Sequence, residues 1–103
     1  MSKRYFVSEE SPYNPGKYII LPVHSNLPIT YTEGSYAVLA ARLLNLSYPN
    51  YLRMCRDIYG AEIIGKGHLY PIAFFNGETK ELKELINLLN KNVERIKKEF
   101  NYV

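Results

Sequence analysis

The sequence predicts an α+β domain, and three observations lead there. Two β-prone runs near the N-terminus are separated by turn residues. The hydrophobic period then changes to a helical one between Ser35 and Tyr59. After a second pair of β-prone runs, a long amphipathic pattern fills residues 78–103. With 103 residues, 47% hydrophobic and 22% charged, the chain has the size and balance of one soluble domain. It divides into an N-terminal β-hairpin extension (1–34), a central unit (35–77) and a C-terminal amphipathic helix (78–103).

Taken in order, "RYFV" (4–7) and "KYIILPV" (17–23) are the first strand candidates. "SEESPYNPG" between them carries Pro12, Pro15 and Gly16, which break any regular element, so a hairpin with a long loop is expected. "HSNLPITYTEG" (24–34) reads as an irregular connection, with "PITYT" extended within it. From Ser35, an N-cap residue, Tyr36, Leu39, Ala40, Leu43 and Leu44 recur at i, i+3, i+4, i+7 and i+8, the stripe of an amphipathic helix. Asn45 suits the left-handed position at its end, and Leu46 points inward. Ser47 caps a second helix with Pro49 in its first turn, which runs to about Tyr59 and stops at Gly60. Tyr51, Met54, Cys55 and Ile58 form its apolar face, and Pro49, Asn50, Arg53, Arg56 and Asp57 the opposite one.

"AEII" and "LYPIAFF" flank "GKGH" and predict a second hairpin, with Pro71 arguing for an edge strand. From Glu78 to about Phe100, the residues Leu82, Ile86, Leu89, Val93, Ile96 and Phe100 follow a 4-3-4-3-4 spacing, a heptad seam. A helix of that length measures about 35 Å, more than a small domain covers, so the seam is expected to pair with a second copy in a homodimer. Leu85 and Leu88 widen the apolar face, as packing on the same domain also would.

Residues 36–75 resemble the small winged helix-turn-helix of excisionase-like and MerR-like DNA-binding proteins. The likeness rests on the small pair Ala40 and Ala41, the aliphatics Leu43 and Leu44, the turn residue Asn45, the inward Leu46 and the polar cap Ser47. A second helix and a hairpin wing follow. The chain departs from that pattern in its Asn45 where Gly is more frequent, in the bulk of Tyr51, and in a second helix whose two arginines are offset by Asp57. The resemblance covers residues 36–75 and implies a helix-turn-helix followed by a β-hairpin wing. With the elements read from the residues themselves, the expected order is N-terminal β-hairpin, helix-turn-helix, β-hairpin wing and long C-terminal helix. It also implies a small sequence-specific DNA-binding protein, either a phage- or prokaryote-type transcriptional regulator or an excisionase-like accessory factor.

In that reading the helix 47–59 enters the major groove of double-stranded DNA and the wing at 65–68 meets the backbone. Asn50 suits adenine and Arg53 guanine, each through two hydrogen bonds. Ser47 and Tyr48 hold phosphate, or Tyr48 meets a thymine methyl. Lys66 and His68 reach out from between glycines, and Arg42 and Arg56 add phosphate contacts. Each has an ordinary structural reading beside it: solvated charge for Arg53 and Arg56, a polar turn for Lys66 and His68, service to the helix start for Asn50. The net charge of +3 and pI near 9.0 permit a polyanionic partner without requiring one.

Other classes find less support. The single Cys55 fits a reducing cytoplasm, and with two separated histidines, His24 and His68, it makes no metal site; no cofactor is expected. No nucleophile–base pair or phosphate-cradling loop occurs, so an enzyme is not expected. No apolar run approaches a membrane span, and the polar start lacks the apolar region of a signal peptide. The alternative is a protein-binding module, such as a small phage-type inhibitor, in which ten Tyr and no Trp furnish a tyrosine-rich contact surface.

Overall fold

The computed structural model describes residues 4–23, 26–27, 36–65 and 71–100. Its elements are β1 (Phe6–Glu10), β2 (Lys17–Pro22), α1 (Tyr36–Leu43), α2 (Tyr48–Asp57), β3 (Glu62–Ile64), β4 (Ile72–Asn76) and α3 (Lys80–Phe100). The chain is a mixed α+β structure, with an antiparallel sheet in the order β1-β2-β4-β3 and a long C-terminal helix.

The first hairpin forms where turn residues interrupt two β-prone runs. Its loop closes through Ser11 N–H donating to the Lys17 carbonyl (2.8 Å) and Lys17 N–H to that of Asn14 (3.0 Å). Gly16 supplies the positive φ of 81° that the bend needs. β1 runs from Phe6 to Glu10, later than the run 4–7 suggested, because the register Phe6↔Pro22 to Glu10↔Tyr18 carries pairing into the acidic residues. Val23 N–H donates to the Tyr5 carbonyl. Together with the Ser11–Lys17 bond, this fixes the odd-numbered residues of β1 as the hydrogen-bonded partners of β2. Pro22 lies opposite an even one, Phe6, so its missing N–H removes no bond to β1.

Pro71 proves a poor guide to position in the sheet. β4 is interior, between β2 and β3, and the edges are β3 and β1. Pro71 stands one residue before β4, where its missing N–H costs the ladder nothing. Gly65 closes against it: an added Cβ would stand 2.3 Å from the Pro71 Cα.

Phe6, Leu39, Leu43, Cys55, Phe75, Leu82, Leu85, Leu89 and Val93 form the fully buried centre. α1 packs on α2, α3 and β2; α2 on β3 and β4; α3 on β1. Ala40 and Ala41 are buried, and their small side chains let α1 sit close to its neighbours. The stripe predicted on the second helix is kept at Tyr51, Met54 and Cys55, with one gain and one loss. Leu52 joins Tyr51 and Cys55 in the core, whereas Ile58, at the C-cap, is 66% exposed.

α3 begins at Lys80 rather than Glu78, because Thr79 Oγ1 accepts the Leu82 N–H (3.1 Å) and caps it. Its heptad seam is spent inside the chain. Leu82, Leu89 and Val93 are inaccessible and Ile96 nearly so, Ile86 is half-buried, and the Phe100 side chain lies outside the described residues. Of the side chains expected to dimerise, Leu82, Leu89, Val93 and Ile96 thus lie in the chain's own core, together with Leu85. Pairing two copies through them would mean withdrawing them from this core. Among the described residues no helix is long and apolar enough to cross a membrane.

Candidate functional site

The link between α1 and α2 is a tight, fully bonded turn. Asn45 has φ 57°, the one positive value outside glycine among the described residues. Leu46 N–H donates to the Ala41 carbonyl (2.9 Å) and Asn45 N–H to that of Arg42 (3.1 Å), the pair of bonds that ends a helix in a Schellman motif. Leu46 packs half-buried on the core, which fixes the direction of the exit. Ser47 follows in extended conformation as N-cap, its Oγ accepting the Asn50 N–H at 3.3 Å, with Pro49 in the first turn.

This start orients α2. Tyr51, Leu52 and Cys55 are buried, and Pro49, Asn50, Arg53, Arg56 and Asp57 are exposed. The Asn50 Oδ1 accepts a long hydrogen bond from Arg53 (3.4 Å), placing amide and guanidinium side by side. Arg56 grips Asp57 through Nε (2.8 Å) and Nη2 (3.4 Å). That contact raises the Arg56 pKa and lowers that of Asp57, and it neutralises one of the helix's cations. Arg42 is exposed in the last turn of α1. Ser47, Asn50, Arg53 and Arg56 thus come together on one helix. Lys66 and His68 lie outside the described residues.

Tyr48 takes another role than the phosphate or thymine contact expected of it. It is half-buried, its ring stacked on Tyr51 with centroids 6.3 Å apart, and its hydroxyl donates to the Pro71 carbonyl. Burial pushes that hydroxyl up to about 12. Tyr48 therefore ties the start of α2 to the base of β4. Cys55 is enclosed, and burial lifts its thiol to about 11, so little reactive thiolate is present near neutrality.

A second polar assembly is absent from the expectations raised by the sequence. Asn90, on α3, accepts the N–H groups of Tyr5 (3.0 Å) and Phe6 (2.8 Å) at Oδ1 and donates from Nδ2 to the Phe6 carbonyl (3.3 Å). Beside it the Tyr5 hydroxyl donates to Glu94 (2.7 Å), and Lys97 lies 5.2 Å from the Tyr5 ring centroid. A groove of about 910 Å³ runs between β1 and α3, with Phe6, Asn90 and Glu94 in its lining. The one signal for it in the sequence is Asn90 at the border of the apolar stripe, beside Leu89, a place where a polar residue needs a partner.

No cluster of metal-ligating side chains occurs among the described residues. No family model matches the chain, and no curated protein or solved structure shows significant similarity to it.

Proposed function

We propose that the chain is a small sequence-specific DNA-binding protein, acting in the cytoplasm as a transcriptional regulator or an excisionase-like accessory factor. α1 and α2 would serve as its helix-turn-helix and the β3–β4 hairpin as its wing. The observation that carries this reading is the division of α2. One face is locked into the core by Tyr51, Leu52 and Cys55, while Asn50, Arg53 and Arg56 stand outward together. A helix so anchored holds the backbone positions of Asn50 and Arg53 side by side, the placement base-edge recognition needs. Asn50 would read adenine and Arg53 guanine. Arg42 and Arg56 would meet phosphates, joined by Lys66 and His68 from the hairpin tip. Ser47 is engaged at the helix start, and the adjoining N–H groups would help hold a phosphate.

Titration of purified protein into random-sequence duplex DNA at rising salt tests the proposal. Saturable binding with a steep negative slope of log affinity on log salt is expected. Arg53→Ala with Lys66→Ala should make that slope shallower by about 0.9 for each phosphate that is no longer neutralised. Against a selected site, Asn50→Ala or Arg53→Ala should each cost about 1–3 kcal/mol and relax the preference at one base pair. Absence of binding at low salt would sink the proposal.

A further inference from the structure

The outer edge of β1 is an open hydrogen-bonding edge set beside a helix. Because the odd-numbered residues of β1 bond to β2, the backbone N–H and C=O of Phe6, Ser8 and Glu10 point the other way, out of the sheet. Asn90 demonstrates this at Phe6. Its side-chain amide accepts from the Phe6 N–H and donates to the Phe6 carbonyl, the two bonds that a residue of a neighbouring strand would make. The strand's outer edge is thus filled at one position by an amide reaching from α3. Two residues on, about 7 Å away, the N–H and C=O of Ser8 face the groove with no partner among the described residues. Glu10 repeats the pattern beyond it, its side chain turned back to accept the Gly16 N–H (2.8 Å).

The far wall is one stripe of α3, including Lys83, Ile86, Asn87 and Asn90. From Lys83 to Asn90 that stripe is about 10 Å long, the length of about three extended residues. The lining charge is mostly basic. Arg4, Lys83, Lys91, Arg95 and Lys98 line the groove, while Glu78 and Glu94 are its only carboxylates among the described residues, and Glu94 is bound to the Tyr5 hydroxyl. An unpaired strand edge is normally blunted by a charge pointing inward, a proline or a bulge. Here it lies open beside the mostly basic stripe of α3 that lines the groove.

We infer that this groove receives an acidic, extended peptide segment of a partner protein, added to the sheet as a strand on β1. The incoming strand exchanges backbone hydrogen bonds with Ser8 and then Glu10, and Asn90 stops it at Phe6. Its carboxylates meet Lys83 and Lys91, so backbone pairing supplies the geometry and the basic stripe selects the partner. The surface is separate from the outward face of α2, and the inference does not depend on DNA binding.

The test uses the full chain and a blocked synthetic peptide of about seven residues, alternating valine or threonine with glutamate. Binding is followed by calorimetry and by backbone amide NMR. Saturable binding is expected, with the largest amide shifts at Ser8 and Glu10 and slowed exchange of the Ser8 N–H. Ser8→Pro removes that outward donor without touching the β2 ladder and should weaken binding roughly tenfold. Lys83→Glu with Lys91→Glu alters only exposed side chains and should also weaken binding roughly tenfold, while leaving the melting temperature and the DNA affinity of α2 in place. A glutamine-for-glutamate peptide that binds equally well would overturn the acidic specificity. No binding up to about 1 mM, shifts confined to α2, a dimer joined through β1, or duplex DNA displacing the peptide from the Ser8 amide would overturn the assignment altogether.

Discussion

At the scale of single residues, Tyr48 shows how one hydroxyl couples two distant pieces of chain. Tyr48→Phe keeps the ring on Tyr51 but removes the bond to Pro71 and leaves a carbonyl without its donor, so a loss of about 1 kcal/mol is expected in urea unfolding. Its pH dependence has a definite sign. The unfolded hydroxyl ionises near pH 10 and the folded one near 12, so above pH 10 the unfolded chain binds fewer protons and is favoured. That contribution is whole below about pH 10 and is lost as pH rises toward 12. Tyr5, also raised to about 12 by burial and by its bond to Glu94, acts in the same window. The Tyr48→Phe protein should therefore lose stability less steeply there than the parent. Asn45 and Ser47 were legible in the sequence because turn and cap chemistry is local. The partner of Tyr48 was not, since Pro71 is 23 positions away and nothing in the intervening residues specifies the meeting.

Among the elements, α3 carries the clearest lesson. Its heptad spacing correctly placed the apolar stripe, because side chains three and four apart share a helix face. The spacing is silent on what covers that face, and the cover is this chain's own sheet and α1. Leu89→Ala is expected to cost about 2–5 kcal/mol and Ile86→Ala less, since Leu89 is inaccessible and Ile86 only half-buried. Because this burial is internal, the urea midpoint should not move with protein concentration. A midpoint that rises with concentration would show that the stripe is shared between copies. The interior place of β4 was equally illegible. Pro71 and the β-prone run are local facts, but which strand lies beside which is settled by the short β2–β4 pairing, Lys17↔Asn76 and Tyr18↔Phe75. Lys17 reinforces that corner, its ammonium shared between Glu62 (3.0 Å) and Asn76 (2.6 Å).

Across the whole molecule, β1 is joined to an element far along the chain, and Asn90 is the principal clasp. Asn90→Ala would leave the Tyr5 and Phe6 N–H groups without their acceptor, at a cost of about 1–3 kcal/mol for each group that stays dry. Native-state hydrogen exchange should show the Phe6 amide released in that variant ahead of the α2 amides. Release of both together would mean that the clasp has no local role. The candidate sites divide along the same line. The α2 surface is built from neighbours in sequence and could be found there, whereas the β1–α3 groove exists only once the two elements meet. That meeting also has a clock. Phe6 and Asn90 are 84 residues apart, so at ~5–20 residues per second the ribosome delivers Asn90 about 4–17 s after the strand it clasps. For those seconds the outward backbone of the nascent strand lacks its clasp, a period in which a chaperone or another nascent chain has first access to it.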